Sequence, residues 1–177
     1  ENRIEIIRKY IDQMLVIFPF EVKWYKERGI NAKFVGHPIF DEWAPTTKDE
    51  LCRQLNLKRE NPIITLYPGS RKQEINRHLP ILLQAADKLK IDNISIQFIL
   101  GVAQNINIEK QKIPTWIQIE TKHPQKALEC ADLALVSSGT STLEAAVFGT
   151  PMIVIYKMAP ISWLVSRALV NVPFAGM

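Results

Sequence analysis

Val136–Tyr156 reads VSSGTSTLEAAVFGTPMIVIY. An apolar run leaves through Ser-Ser-Gly-Thr, one helical turn pattern follows, and Gly-Thr-Pro stops it before a second apolar run. The order strand, small-residue turn, helix, Gly/Pro stop, strand is that of a βαβ unit with a glycine at the mouth of its helix. Helix N-termini present unpaired N–H groups and the positive end of the macrodipole, so this mouth suits a phosphate or a carboxylate.

The same alternation runs outward from this stretch in both directions. Ile4, Ile7 and Ile11 lie at helical spacing, and MLVIF (14–18) follows as a strand expected to be buried on both faces. Pro19 opens a helix that Gly29 stops, and AKFVGHP (32–38) is a strand running into a turn. Thr47 with Glu50 three residues on forms a capping box for the next helix. PIITLY (62–67) is a strand and PGSR (68–71) a turn. Residues 73–89 are helical, with Pro80 either kinking that helix or starting a second one. SIQFILG and WIQIE are strands, PQKALECA is a helix, and LALVSS returns to the opening stretch. PISWLVSRALV (160–170) reads as a mostly apolar helix. Apolar β runs alternating with helices predict an α/β fold, a Rossmann-like parallel sheet with helices on both faces.

The bulk numbers narrow the classes. At 177 residues the chain makes one ordinary domain, or one domain with part of another. Hydrophobic content of 47% and charged content of 23% exclude a disordered chain. A net charge of +4 suits anionic ligands or an anionic membrane surface, and is too small and too evenly spread for nucleic acid. Cys52 and Cys130 share no CxxC spacing, which predicts two reduced thiols. His37, His78 and His123 show no metal-ligand spacing, so neither metal nor cofactor is expected. No apolar run approaches the ~20 residues of a membrane span, and no signal peptide is visible. The opening Glu-Asn-Arg and the closing Pro-Phe-Ala-Gly-Met both look cut, as in a fragment of a longer chain.

Ligands of open parallel sheets bind beyond the carboxyl ends of the strands. Two such ends carry unusual turns. In the first, Pro68-Gly69 turns tightly and Ser70-Arg71 stand at the next helix, where arginine can fork onto phosphate oxygens. Ser70 and Gln73 as a plain capping box is the alternative there. In the second, Ser138-Gly139-Thr140 can wrap a diphosphate, and Glu144, one turn into the helix, can accept from a ribose diol. Ser141 and Glu144 also satisfy a capping box. There is no GxxxxGK[ST] and no GxGxxG after the first strand, which argues against P-loop NTPases and dinucleotide dehydrogenases. What remains is a nucleotide diphosphate on a Gly-Thr helix mouth with a glutamate for its ribose.

FPFE (18–21), FVGHP (34–38), LYPGSRKQEI (66–75) and SSGTSTLEAAVFGTPMIVIYKM (137–158) occur in the order and approximate spacing of the lipid-A-disaccharide synthases. From about Met14 onward the chain resembles that family, and the pairing of PGSRxxEI with SGTxTLE is its distinctive part. The resemblance implies the C-terminal domain of a two-Rossmann, B-type glycosyltransferase. Such an enzyme transfers 2,3-diacylglucosamine from UDP to 2,3-diacylglucosamine 1-phosphate without metal. It would work in the cytoplasm, peripheral to the inner membrane of a Gram-negative bacterium, with a homodimer as one allowed assembly.

Carried onto this sequence, the resemblance sets UDP against Gly69, Ser70, Arg71 and Glu74, and against Ser138, Gly139, Thr140 and Glu144. Glu74 is assigned to orienting Arg71, the loop after Ile119 to uracil, and His37 to a structural role between domains. Residues 1–43 are expected to end an N-terminal acceptor-side domain and linker. Residues 44–177 would form the UDP-sugar domain, C-terminally incomplete. The catalytic base is expected in a missing N-terminal part, so the fragment alone is expected to be inactive. Two rivals share much of this pattern: a UDP-N-acetylglucosamine 2-epimerase or other UDP-sugar enzyme, and a non-catalytic nucleotide-binding domain.

Overall fold

The computed structural model describes residues 2–104, 106, 108 and 112–157. The chain divides into two compact units, Glu1–Pro45 and Thr46–Met177. The expected helix over 160–170 lies outside the described residues.

The first unit holds α1 (Asn2–Tyr10), β1 (Met14–Val16), α2 (Pro19–Lys26), β2 (Ala32–Phe34) and α3 (Ile39–Glu42). β1 and β2 pair in parallel as a two-stranded sheet. The expectation that β1 is buried on both faces is corrected here: Val16 is buried, but Leu15 is 61% exposed. Successive side chains point to opposite faces of a strand, and within this unit only one face of β1 is covered. α3 was not foreseen, because GHP reads as a plain turn. The His37 ring explains it locally, since its Nδ1 accepts the Ile39 N–H at 3.1 Å and so caps this short turn.

The second unit holds α4 (Lys48–Gln54), β3 (Ile63–Tyr67), α5 (Lys72–Asp92), β4 (Gln97–Gly101), β5 (Ile117–Glu120), α6 (Pro124–Glu129), β6 (Leu133–Ser137), α7 (Thr140–Val147) and β7 (Met152–Ile155). Its strands form one parallel sheet in the order β5-β4-β3-β6-β7. Alternation along β3 divides the core. Ile64 and Leu66 join Phe98, Leu100 and Leu135 beneath Ile75, Leu79, Leu82 and Ala86 of α5. Ile63 points the other way, with Ile99, into a cluster built by α4 and α6. Helices therefore cover both faces, which makes this a doubly wound α/β domain.

Local signals account for the helix ends. Thr47 Oγ1 accepts the Glu50 N–H at 3.3 Å, so the Thr47 half of the expected capping box is present, while the Glu50 carboxylate goes to Arg53 and Gln54 instead. α5 runs through Pro80 without a break. Pro80 is solvent-exposed, so its ring stands outside the packed face of the helix. Cys52 and Cys130 are free and buried in one cluster. Burial pushes the Cys130 thiol up to about 12, which keeps it protonated and unreactive at neutral pH.

One ion pair ties α4 to the sheet. Asp132 Oδ2 accepts the Ile63 N–H at 2.9 Å, and Oδ1 pairs with Lys48. Partial burial raises the Asp132 carboxyl, but the Lys48 and Ile63 hydrogen bonds outweigh it and hold the group below its ordinary range. A carboxylate with a depressed folded pKa stabilises fully above its unfolded value and loses that contribution as pH falls through the folded one. Asp132→Asn is therefore expected to lower stability at pH 7 by no more than about 1 kcal/mol, as for a half-exposed pair. Urea melts should show the difference from the parent shrinking below about pH 4.

Candidate functional site

The order of the sheet decides where the site lies. From β3 the chain proceeds outward to β4 and β5, then returns to the other side of β3 as β6 and β7. The turns after β3 and after β6 thus leave neighbouring strands at the point where the winding reverses, which opens a crevice there. Tyr67 is paired with Val136 in that register. A cleft of about 430 Å³ occupies the crevice, and Gly69, Ser70, Arg71, Glu74, Ser138, Gly139, Thr140 and Glu144 all line it. Ser137, Ser141, Tyr67 and Tyr156 complete the wall.

The two helix mouths differ. Glu74 Oε2 accepts the N–H groups of Ser70 and Arg71 at 3.1 and 3.3 Å, so α5 already carries an anion of its own. The same carboxylate holds Arg71, whose Nη1 lies 3.3 Å from Oε1. The alternative cap, Ser70 with Gln73, is not formed: Arg71 is the N-cap, and Glu74 lies at the third helical position. Gly69 permits this arrangement. Its φ is +111°, and a Cβ there would lie 2.5 Å from Glu74 Oε2 and 3.0 Å from Ser137 Oγ.

At α7 the N-cap residue has no side chain to cap the start. Its N-cap is Gly139, with φ +150° and ψ −155°, a region open almost only to glycine. A Cβ on Gly139 would meet no atom within 4 Å, so the space above it is open. Ser141 Oγ donates to Ser137 O at 2.8 Å, and Thr142 Oγ1 donates to Gly139 O at 2.7 Å. Both hydroxyls thus turn back onto carbonyls, and Ser141 and Glu144 make no capping box. Instead Glu144 Oε2 accepts from the Tyr67 hydroxyl at 3.1 Å. Burial pushes the Tyr67 hydroxyl well above its usual range, and the Glu144 charge pushes it further, so it remains a donor.

Other expected groups stand elsewhere. The loop after Ile119 leaves β5 at the sheet edge, two strands from β3, and does not line the cleft. His123 is the N-cap of α6, its N–H donating to Glu120 Oε1 at 2.8 Å. His78 was noticed in the sequence only for lacking metal spacing. The structure buries it under the cleft, where Nδ1 lies 3.1 Å from Pro68 O and Nε2 accepts the Lys157 N–H at 3.1 Å. It ties the turn after β3 to the end of β7. Tyr67 was also missed, because an aromatic closing an apolar strand reads as core.

A doubly wound sheet with a glycine-led helix mouth, a neighbouring arginine and a carboxylate one turn in is an α/β arrangement whose geometry suits an anionic ligand. The family model described as lipid-A-disaccharide synthetase matches residues 1–177. Lipid-A-disaccharide synthase of Coxiella burnetii (strain Dugway 5J108-111) is 37% identical over 99% of this chain and 48% of its own length. That of Syntrophus aciditrophicus (strain SB) is 38% identical over 100% of this chain and 48% of its own. The overlap with the solved E. coli ADP-heptose lps heptosyltransferase II is slighter. Its TM-score is 0.46 at 17% identity, over 64% of this chain and 38% of that one, too slight to bear on fold or function. The chain belongs to the lipid-A-disaccharide synthetase family, and it spans about half the length of the curated relatives it matches.

Proposed function

We propose that these residues form the UDP-binding half of a lipid-A-disaccharide synthase, which transfers 2,3-diacylglucosamine from UDP to 2,3-diacylglucosamine 1-phosphate and releases UDP. The diphosphate sits at the Gly139–Thr140 mouth with Arg71 beside it, and Glu144 receives the ribose hydroxyls. One observation carries this reading: a glycine-led helix start opens into the same switch-point cleft as the Arg71 turn and Glu144. The α5 mouth is already neutralised by Glu74, which leaves α7 to take the incoming anion. Family membership supports UDP-sugar transfer over epimerisation and over a purely binding module.

Residues 1–43 are read as the end of an acceptor-side domain with its linker, and residues 44–177 as the donor domain. Glycosyl transfer also needs an acceptor wall and a base within hydrogen-bond reach of the attacking hydroxyl. Both are assigned to the part of the relatives that this chain does not span. Among the described residues no helix is long and apolar enough to cross a membrane. With acylated substrates, the working place is the inner-membrane surface, reached peripherally.

The test is calorimetric titration of the 177 residues with UDP, against ADP and GDP, followed by an assay with both lipid substrates. UDP is expected to bind in preference to the purine nucleotides, and no disaccharide is expected to form. Absence of UDP binding would overturn the site, while turnover by these residues alone would overturn the placement of the base.

A further inference from the structure

Glu144 reaches the cleft on a side chain with several rotatable bonds, and a carboxylate left to wander among rotamers must be ordered by each ligand it meets. Here a second residue orders it beforehand. Tyr67 closes β3, and its hydroxyl donates to Glu144 Oε2 at 3.1 Å across 77 residues of sequence. Its ring can lie there only because of a third residue. A Cβ on Gly101, at the end of β4, would stand 2.6 and 2.7 Å from two carbons of the Tyr67 ring and 3.2 Å from the Pro124 carbonyl. Gly101 is not among the glycines of positive φ. Glycine is required at this position for space and not for backbone conformation.

We propose that Tyr67 is a positioning residue for ribose recognition, its hydroxyl fixing the Glu144 carboxylate in the cleft over a ring seat that Gly101 leaves open. The proposal rests on the nucleotide reading above and adds to it the residues that set selectivity for a ribonucleotide. Burial keeps the phenol protonated, so it serves as a donor throughout the neutral range.

The experiment titrates the 177-residue chain with UDP and with 2′-deoxyuridine diphosphate, which lacks one of the hydroxyls assigned to Glu144. The parent should favour UDP. Tyr67→Phe keeps the ring and removes the hydroxyl, and should cut that preference about tenfold, the scale of one hydrogen bond to a charged group. Its affinity for the deoxy ligand, which keeps only the 3′ hydroxyl, should fall by less, whereas a general loosening of the fold would weaken both ligands alike. Gly101→Ala displaces the ring and should lower the preference in the same way. If Tyr67→Phe does not fold, Glu144→Asp provides the second reading: the charge stays but ends one methylene short of the phenol, and the preference should again fall. A Tyr67→Phe variant with the full UDP preference overturns the proposal. A parent that binds both ligands equally defeats the ribose reading itself, and the inference falls with it. A parent that binds neither defeats the whole site.

Discussion

Gly69→Ala is expected to lower the stability of the second unit by roughly 2–4 kcal/mol, combining backbone strain with overpacking. Both contributions can be traced to atoms. At φ +111° a side chain is strained whatever space surrounds it. The space is also taken, because the new methyl would fall 2.5 Å from Glu74 Oε2 and 2.9 Å from Glu74 Cβ. Glu74 would have to leave the N–H groups of Ser70 and Arg71, and Arg71 would lose the carboxylate that holds it. A thermal melt by circular dichroism should show a drop of roughly 5–15 °C. UDP affinity should fall as well, since Arg71 is no longer held beside the cleft. Gly139→Ala is the informative comparison. Its methyl meets nothing within 4 Å, so it costs backbone strain alone and stands where the proposed diphosphate would approach. Gly139→Ala should therefore impair binding more than folding. A Gly69→Ala protein that melts like the parent would show that Glu74 does not sit against this turn.

Glu144→Gln is expected to weaken UDP binding by about 1–3 kcal/mol, the range for a hydrogen bond to a charged group. The amide keeps the size of the side chain and one acceptor oxygen, so the Tyr67 hydroxyl still finds a partner. What it loses is the charge that strengthens hydrogen bonds from the ribose hydroxyls. The melting temperature should change much less than the affinity. The reverse pattern, easier unfolding with unchanged UDP binding, would assign the carboxylate to holding α7 in place. Titration calorimetry and a thermal melt on the same preparation separate the two outcomes.

The chain's local chemistry already determined the alternation of strands and helices, and with it the α/β class. Short continuous apolar runs, the Thr47 cap and the stops at Gly29 and Gly149 act over a few residues, so a linear reading captures them. The two turns that build the cleft were legible for the same reason: small residues and an arginine stand where apolar runs end. Tertiary structure decided what those signals meant together. That β3 lies beside β6 brings Gly69 and Gly139 to one crevice, and strand order is set by how helices cover both faces of a sheet, not by any single segment. It also chose among competing caps. Ser70 with Gln73, and Ser141 with Glu144, have the spacing of capping boxes, yet Glu74 caps α5 and Glu144 turns to Tyr67. A polar side chain goes to the partner that burial leaves it, and that partner can lie 77 residues away. The same reasoning covers β1, whose uniformly apolar sequence suggested two buried faces while this unit covers only one. Periodicity records which residues prefer to be covered, and only the folded neighbours determine which of them are.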